Sequence, residues 1–179
     1  LKKSKVYVEI STKIVLSKSR KFSNLRLRNL KKYKNIKIVK EKITLQFWKI
    51  LKTNLNDKYN TSPAHNFREI SFLQKNFPNN IIFFSAYKDS NLLGGIVAFK
   101  FGDIFKIQYV GFEKKLQFYG AQDCIINNIV NEQNNNSIKI LDFGISTENN
   151  GKILNKDLLF YKESFGSENI NYYKIECDI

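Results

Sequence analysis

The chain has 179 residues, 42% of them hydrophobic and 14% aromatic, and a formal charge of +14 at pH 7. That length and apolar content provide one good core, exclude a disordered chain, and leave no room for two large domains. No apolar run approaches the ~20 residues of a membrane-crossing helix, and no signal-peptide core follows the lysine-rich start.

The charge is local. Residues 1–60 carry 18 Lys and Arg against 3 acids, whereas residues 61–179 carry 12 against 13. Such a stretch fits binding to RNA or anionic lipid, or simply a solvated helix in a protein rich in Lys, Asn and Ile. Its few aromatics offer little base stacking. The two cysteines, Cys124 and Cys177, form no CxxC pair, and with one His they assemble no zinc-site spacing. They read as reduced structural thiols in a cytosolic setting. The sequence holds no Met, so the simplest account is a piece of a longer protein.

Residues 5–10 (KVYVEI) alternate as a strand. Residues 17–33 have helical spacing with Phe22, Leu25, Leu27 and Leu30 apolar, which predicts a basic helix. Residues 1–34 are therefore expected to be a strand-helix remnant of an upstream half-domain, or a connector, ahead of a domain over residues 35–179. That domain opens with a short strand at residues 36–39. A helix follows over residues 44–59, with Phe47, Trp48, Leu51 and Leu55 on one face.

Pro63 breaks the chain, and Asn66 starts a second helix with Phe67, Ile70, Leu73 and Phe77 as its stripe. Asn66 and Glu69 have capping-box spacing, and Pro78 ends the helix. Three strands follow, at residues 81–87, 93–101 and 104–112, joined by hairpin-like links at Asp89-Ser90-Asn91 and Gly102-Asp103. A helix over residues 119–131 buries Ile125, Ile126, Ile129 and Val130. Residues 138–143 form a strand, and residues 153–164 a helix with Leu154, Leu158 and Tyr161 on its stripe and Gly166 beyond its end. Residues 171–177 form the last strand. The order β-α-α-β-β-β-α-β-α-β predicts an α/β mixed sheet with helices on both faces.

That order, with Gln117-Phe118-Tyr119-Gly120-Ala121-Gln122 between a strand and a helix, resembles the GNAT acyltransferase superfamily and its Q/R-x-x-G-x-G/A loop. Gln122 departs from the family's Gly or Ala. A more specific likeness, over residues 17–179, is to the Fem-like, acetyltransferase-like branch. It rests on Ser62-Pro63-Ala64-His65, Phe77-Pro78, Gly94-Gly95, Gln108-Tyr109, Gly120-Ala121-Gln122-Asp123, Leu141-Asp142-Phe143-Gly144, and Asn155 through Lys162 to Gly166.

The resemblance implies a transferase moving an acyl or aminoacyl group from acyl-CoA (acetyl-CoA) or aminoacyl-tRNA to an amine, without a metal. The acceptor would be a cell-envelope or surface-polysaccharide precursor: a small-molecule, lipid-linked or nucleotide-linked sugar, or a peptidoglycan precursor. The protein would act in the cytoplasm, with tRNA as a further partner. Backbone groups of Tyr109, Val110 and Gly111 would line the donor arm, and Gln117, Gly120, Ala121 and Gln122 would hold phosphate.

Lys162 stands four residues before Gly166, where other GNAT members carry a tyrosine acid. It would stabilise transition-state charge with its stem packed beside the stripe, whereas an ordinary helical lysine would face solvent. His65, which can serve as a base near neutral pH, and Asp142 complete the catalytic candidates. Ser146 and Asn155 are candidates for the acceptor. The competing expectation is a non-catalytic RNA- or envelope-binding module that uses the basic first third.

Overall fold

The computed structural model describes residues 4–18, 21–33, 35–114, 119–133 and 138–177. In chain order the elements are β1 (Ser4–Val15), α1 (Asn24–Lys32), β2 (Lys37–Glu41), α2 (Leu45–Tyr59), α3 (Phe67–Asn76), β3 (Ile81–Lys88), β4 (Asn91–Phe101), β5 (Ile104–Phe112), α4 (Tyr119–Gln133), β6 (Ile140–Ile145), β7 (Thr147–Glu148), β8 (Ile153–Leu154), α5 (Lys156–Glu163) and β9 (Glu168–Cys177). From β2 to β9 this is the expected order, with the small β7–β8 hairpin added between β6 and α5.

Seven strands form one sheet in the order β2-β3-β4-β5-β6-β1-β9. The links between β3, β4 and β5 are tight enough to force antiparallel pairing, as expected. Asp89 and Ser90 both take positive φ (48° and 66°), the twist that suits a two-residue hairpin turn. The crossover through α4 then makes β5 and β6 parallel.

Alternation divides the strand side chains between two cores. Phe83 and Val97 face α2 and α3, where they meet Phe47, Trp48, Leu51 and Ile70. Phe84, Ile96 and Ala98 face α4, where they meet Ile125, Ile126 and Ile129. Full burial of each large side chain contributes about 2–3 kcal/mol, so the two layers fix the sheet from both sides. Gly111 lets α2 approach closely: a Cβ there would sit 2.9 Å from the Leu51 Cα.

Local chemistry sets the helix ends. Ser23 caps α1, so the helix begins at Asn24 and not near residue 17. Thr44 caps α2, and the Asn66–Glu69 capping box is present at the start of α3.

Leu25 and Leu27 are 45% and 41% exposed, and α1 buries Arg26. The start expected for the last helix is corrected. Ile153 and Leu154 form β8, not the first turn of a helix, because Asn155 caps α5. Strand β1 lies inside the sheet, antiparallel to both β6 and β9, and α1 packs on α4.

Candidate functional site

Strands β5 and β6 pair only from Ile104–Ile140 to Lys106–Asp142. Beyond that point they diverge, which leaves a wedge at their C-terminal ends, the end of an open α/β sheet where ligands gather. Its β5 side has a free edge. The Glu113 amide donates to Leu93 O on β4, and the Phe112 amide turns the other way to Asn54 Oδ1 at 2.8 Å. Strand alternation therefore puts the Val110 peptide on the open edge, with Gly111 directed toward β4. Of the three residues expected to line the donor arm, Val110 offers its backbone there.

The β6 side ends in a turn built around Lys162. Asp142 Oδ1 accepts the Gly144 amide at 2.7 Å and the Ser11 hydroxyl from β1 at 3.1 Å. Gly144 takes φ +75°, a conformation that favours glycine. The turned carbonyls then point at Lys162, whose ammonium donates to Gly144 O (2.9 Å), Ile145 O (2.7 Å) and Ser146 Oγ (2.9 Å). Lys162 is 5% exposed and so does not face solvent. Burial pushes its ammonium down from the ordinary 10.5 to about 8, while the charge of Asp142 acts in the opposite direction. The Ser146 carbonyl accepts the Asn155 amide at 2.9 Å, and Asn155 caps α5 through Leu158 N at 3.0 Å. Asp142, Ser146, Asn155 and Lys162 thus form one connected cluster.

His65 and Tyr109 form a second group, on the α2–α3 face of β5. His65 Nδ1 lies 2.6 Å from the Tyr109 hydroxyl. Tyr109 is buried against the Trp48 ring at 5.2 Å, and burial raises its phenol above the ordinary 10. A neutral phenol beside an imidazole nitrogen fixes the ring's orientation and can stabilise either tautomer.

Helix α4 begins near the mouth of the wedge. Gln117 lies outside the described residues. Gly120 has a steric reason to be glycine, because a Cβ there would run into the Tyr33 ring. Ala121 is fully buried in the core, and Gln122 is half-buried.

One buried network escaped sequence reasoning. Arg26 Nη1 donates to both carboxylate oxygens of Asp123 at 2.9 Å, and Arg26 Nε donates to Ser164 Oγ at 2.8 Å. Asn29 and the Tyr161 hydroxyl complete the set on Asp123, at 2.7 and 3.3 Å. The guanidinium also lies 4.5 Å from the Tyr161 ring centroid. The pair ties α1, α4 and α5 together behind the wedge. The readable signal was the spacing of Phe22, Arg26 and Tyr33, four and seven residues apart. Among the described residues, no group of three or more His, Cys, Asp and Glu is placed to hold a metal ion, and no helix is long and apolar enough to cross a membrane.

The architecture has counterparts among solved structures. The C-terminal domain of a protein assigned as a lysylphosphatidylglycerol synthetase from Agrobacterium fabrum aligns with TM-score 0.68 at 9% identity, covering 97% of this chain and 61% of that one. A conserved protein of unknown function from Bacteroides thetaiotaomicron gives 0.63 at 12% identity over 97% and 62%. L-PGS from Bacillus licheniformis gives 0.60 at 11% identity over 96% and 60%. The chain spans about three fifths of the length of these structures. No protein-family model matches the sequence, and no curated protein matches it. With the element order above, the likenesses establish the mixed α/β fold, a single large sheet with helices on both faces.

Proposed function

We propose that the chain is a GNAT-type N-acyltransferase, related to the Fem-like branch, that transfers an acyl group to an amine on a cell-envelope or surface-polysaccharide precursor on the cytoplasmic side. One observation carries the reading: the free Val110 edge of β5 faces the Lys162 turn of β6 across a wedge at the strands' C-terminal ends. An extended acyl donor can add to that edge as a short strand would, with its phosphates toward the first turn of α4.

The donor is taken to be acyl-CoA, with aminoacyl-tRNA as the second arm of the test. The acceptor nitrogen attacks the donor carbonyl, the C–N bond forms, and the C–S bond breaks (C–O for an ester donor). The amine proton passes to His65, which Tyr109 orients, and from His65 to the departing sulfur or oxygen, which leaves as the neutral thiol or alcohol. Lys162 contributes a fixed positive charge and holds the turn that shapes the wedge. Ser146 and Asn155 shape the acceptor side through the same turn.

Lys162 is fully bonded, and Gly120 has a steric explanation, so both signals also have a structural reading. Those two facts favour the second reading, a non-catalytic module that binds RNA or the envelope through the basic first third. Intact-mass analysis of amine acceptors incubated with the protein and either acetyl-CoA or aminoacyl-tRNA separates the two. Acyl transfer that falls by ~10²-fold or more in His65→Ala supports the enzyme. No transfer from either donor, together with RNA binding lost in Arg28→Glu/Lys31→Glu, supports the module.

A further inference from the structure

At the end of the sheet opposite the wedge lies a groove of about 1160 Å³. It is framed by the end of β2, the second half of α3 with the turn after it, and the adjoining ends of β3, β4 and β5. Ile81 and Ile82 contribute apolar surface to the groove, and Lys42, Lys75 and Lys100 contribute its positive charge.

Of the other charged groups at this end, Lys40 and Lys139 are paired, and Glu41 remains a negative charge held by a neutral phenol. Lys40 pairs with Glu132 at 2.5 Å, Lys139 with Asp103 at 3.2 Å, and Glu41 accepts from the Tyr87 hydroxyl at 2.7 Å. Among the described residues, Lys42, Lys75 and Lys100 make no ion pair.

Exposed phenyl rings border the same end. Phe72, Phe77 and Phe101 are 65%, 54% and 59% exposed. The turn after α3 is tied to Lys100 by bonds in both directions, Lys100 N to Asn80 O at 2.7 Å and Asn80 Nδ2 to Lys100 O at 3.0 Å. Phe77 and Phe101 therefore flank one seam. Lys75, three residues beyond Phe72 on α3, shares its side of the helix.

The geometry points to this end of the molecule as a docking surface for an anionic lipid bilayer. Headgroup phosphates meet the three unmatched ammonium groups, and the rings enter the boundary of headgroups and acyl chains. A single-stranded nucleic acid is the poorer fit. The groove's own rings, Phe83 and Phe105, are closed into the core, so the groove offers bases no stacking face. The exposed rings lie outside its lining. This inference goes beyond the acyl-transfer reading and does not depend on it.

The test is co-sedimentation of the full chain with vesicles of phosphatidylcholine alone, or doped with phosphatidylglycerol or phosphatidylserine, at low and high salt. Binding is expected with either anionic lipid, not with phosphatidylcholine alone, and is expected to weaken with salt. Neutralising a lysine near an anionic surface lowers partitioning about fivefold, so Lys75→Gln/Lys100→Gln should lose on the order of 25-fold. Phe77→Ser/Phe101→Ser should also bind more weakly. The changed side chains are exposed phenyls and lysines without ion pairs, so circular dichroism should show both variants folded. Equal binding to neutral and anionic vesicles, no binding to either anionic lipid, or wild-type binding by the folded lysine variant would overturn the proposal. So would a single-stranded RNA oligomer that binds more tightly than the vesicles and is lost in the same lysine variant.

Discussion

The Lys162 ammonium lies 2.7 Å from the carbonyl oxygen of Ile145, and its other two protons go to Gly144 O and Ser146 Oγ. A lysine held this way can act on a substrate in two ways. It can exert its field from a fixed position, or it can release one bond when the turn moves. In both cases the charge matters, and the charge depends on pH.

Lys162→Met should therefore lose ~10²–10³ in kcat, the usual cost of removing one preorganised charge donor, with donor binding kept. In the wild type the ammonium is protonated below about 8. The kcat profile should accordingly fall as pH rises through 8. A profile that stays flat to pH 9, measured with a saturating donor, would remove Lys162 from the mechanism.

Stability should show the opposite trend. The Lys162 pKa is lowered from 10.5 to about 8 in the folded chain, so between those values the unfolded chain binds more protons. Stability from this group then rises with pH across that window and is flat below it. Urea unfolding at pH 7.5 and pH 9.5 should show the wild type gaining on Lys162→Met at the higher value. Burial raises the Cys124 thiol from 9 to about 11, which works against the rise in the upper half of the window. Comparing the two proteins at each pH cancels that contribution.

Breaking the Arg26–Asp123 pair should be costly, since it leaves a buried charge without its partner. Asp123→Asn should lose about 3–5 kcal/mol, read from urea denaturation. The double variant Arg26→Met/Asp123→Leu should recover much of that loss. If Asp123→Asn unfolds at the wild-type urea concentration, the network is not holding the helices together.

Gly120 is a test of packing before it is a test of binding. Gly120→Ala should destabilise by about 1–3 kcal/mol through overpacking against Tyr33. Tyr33→Ala should lower that penalty in a double-mutant cycle. Additive losses would mean that Tyr33 is not the neighbour that demands glycine.

Val110→Pro removes an amide from the free edge of β5 while sparing the β4 ladder, where proline is tolerated. Donor affinity should drop ~10–100-fold with the fold intact, as measured by calorimetry with acetyl-CoA. Unchanged affinity would place the donor elsewhere.

Much of this was readable from residue patterns. Near-continuous apolar runs over β3 and β4, a partly alternating β5, and the polar links between them marked their limits to within two residues. The Asn66–Glu69 spacing gave the start of α3. Long-range partnerships were not readable. Nothing local in KVYVEI says that the strand lies between β6 and β9, because its partners are distant in sequence. Arg26 looked like part of a solvated basic face because its partner, Asp123, stands on another helix. In the site, Asp142, Ser146, Asn155 and Lys162 stand out one by one in the sequence, but their connection through the β6 turn does not. The acceptors of the Lys162 protons are backbone carbonyls, exposed by a glycine turn that side-chain patterns do not encode.

The place of β1 has a consequence for synthesis. Ser11 bonds to a residue 131 positions later and Tyr7 to one 169 positions later. At ribosomal speeds of about 5–20 residues per second, these partners emerge on the order of ten seconds or more after β1 does. During that delay a strand carrying Val6, Val8, Ile10 and Ile14 is without the two partners it has in the folded sheet, so the β2–β5 meander can fold before it joins them. The wedge can take its final form only when β1 inserts beside β6, so closure of the site waits for the synthesis of β6.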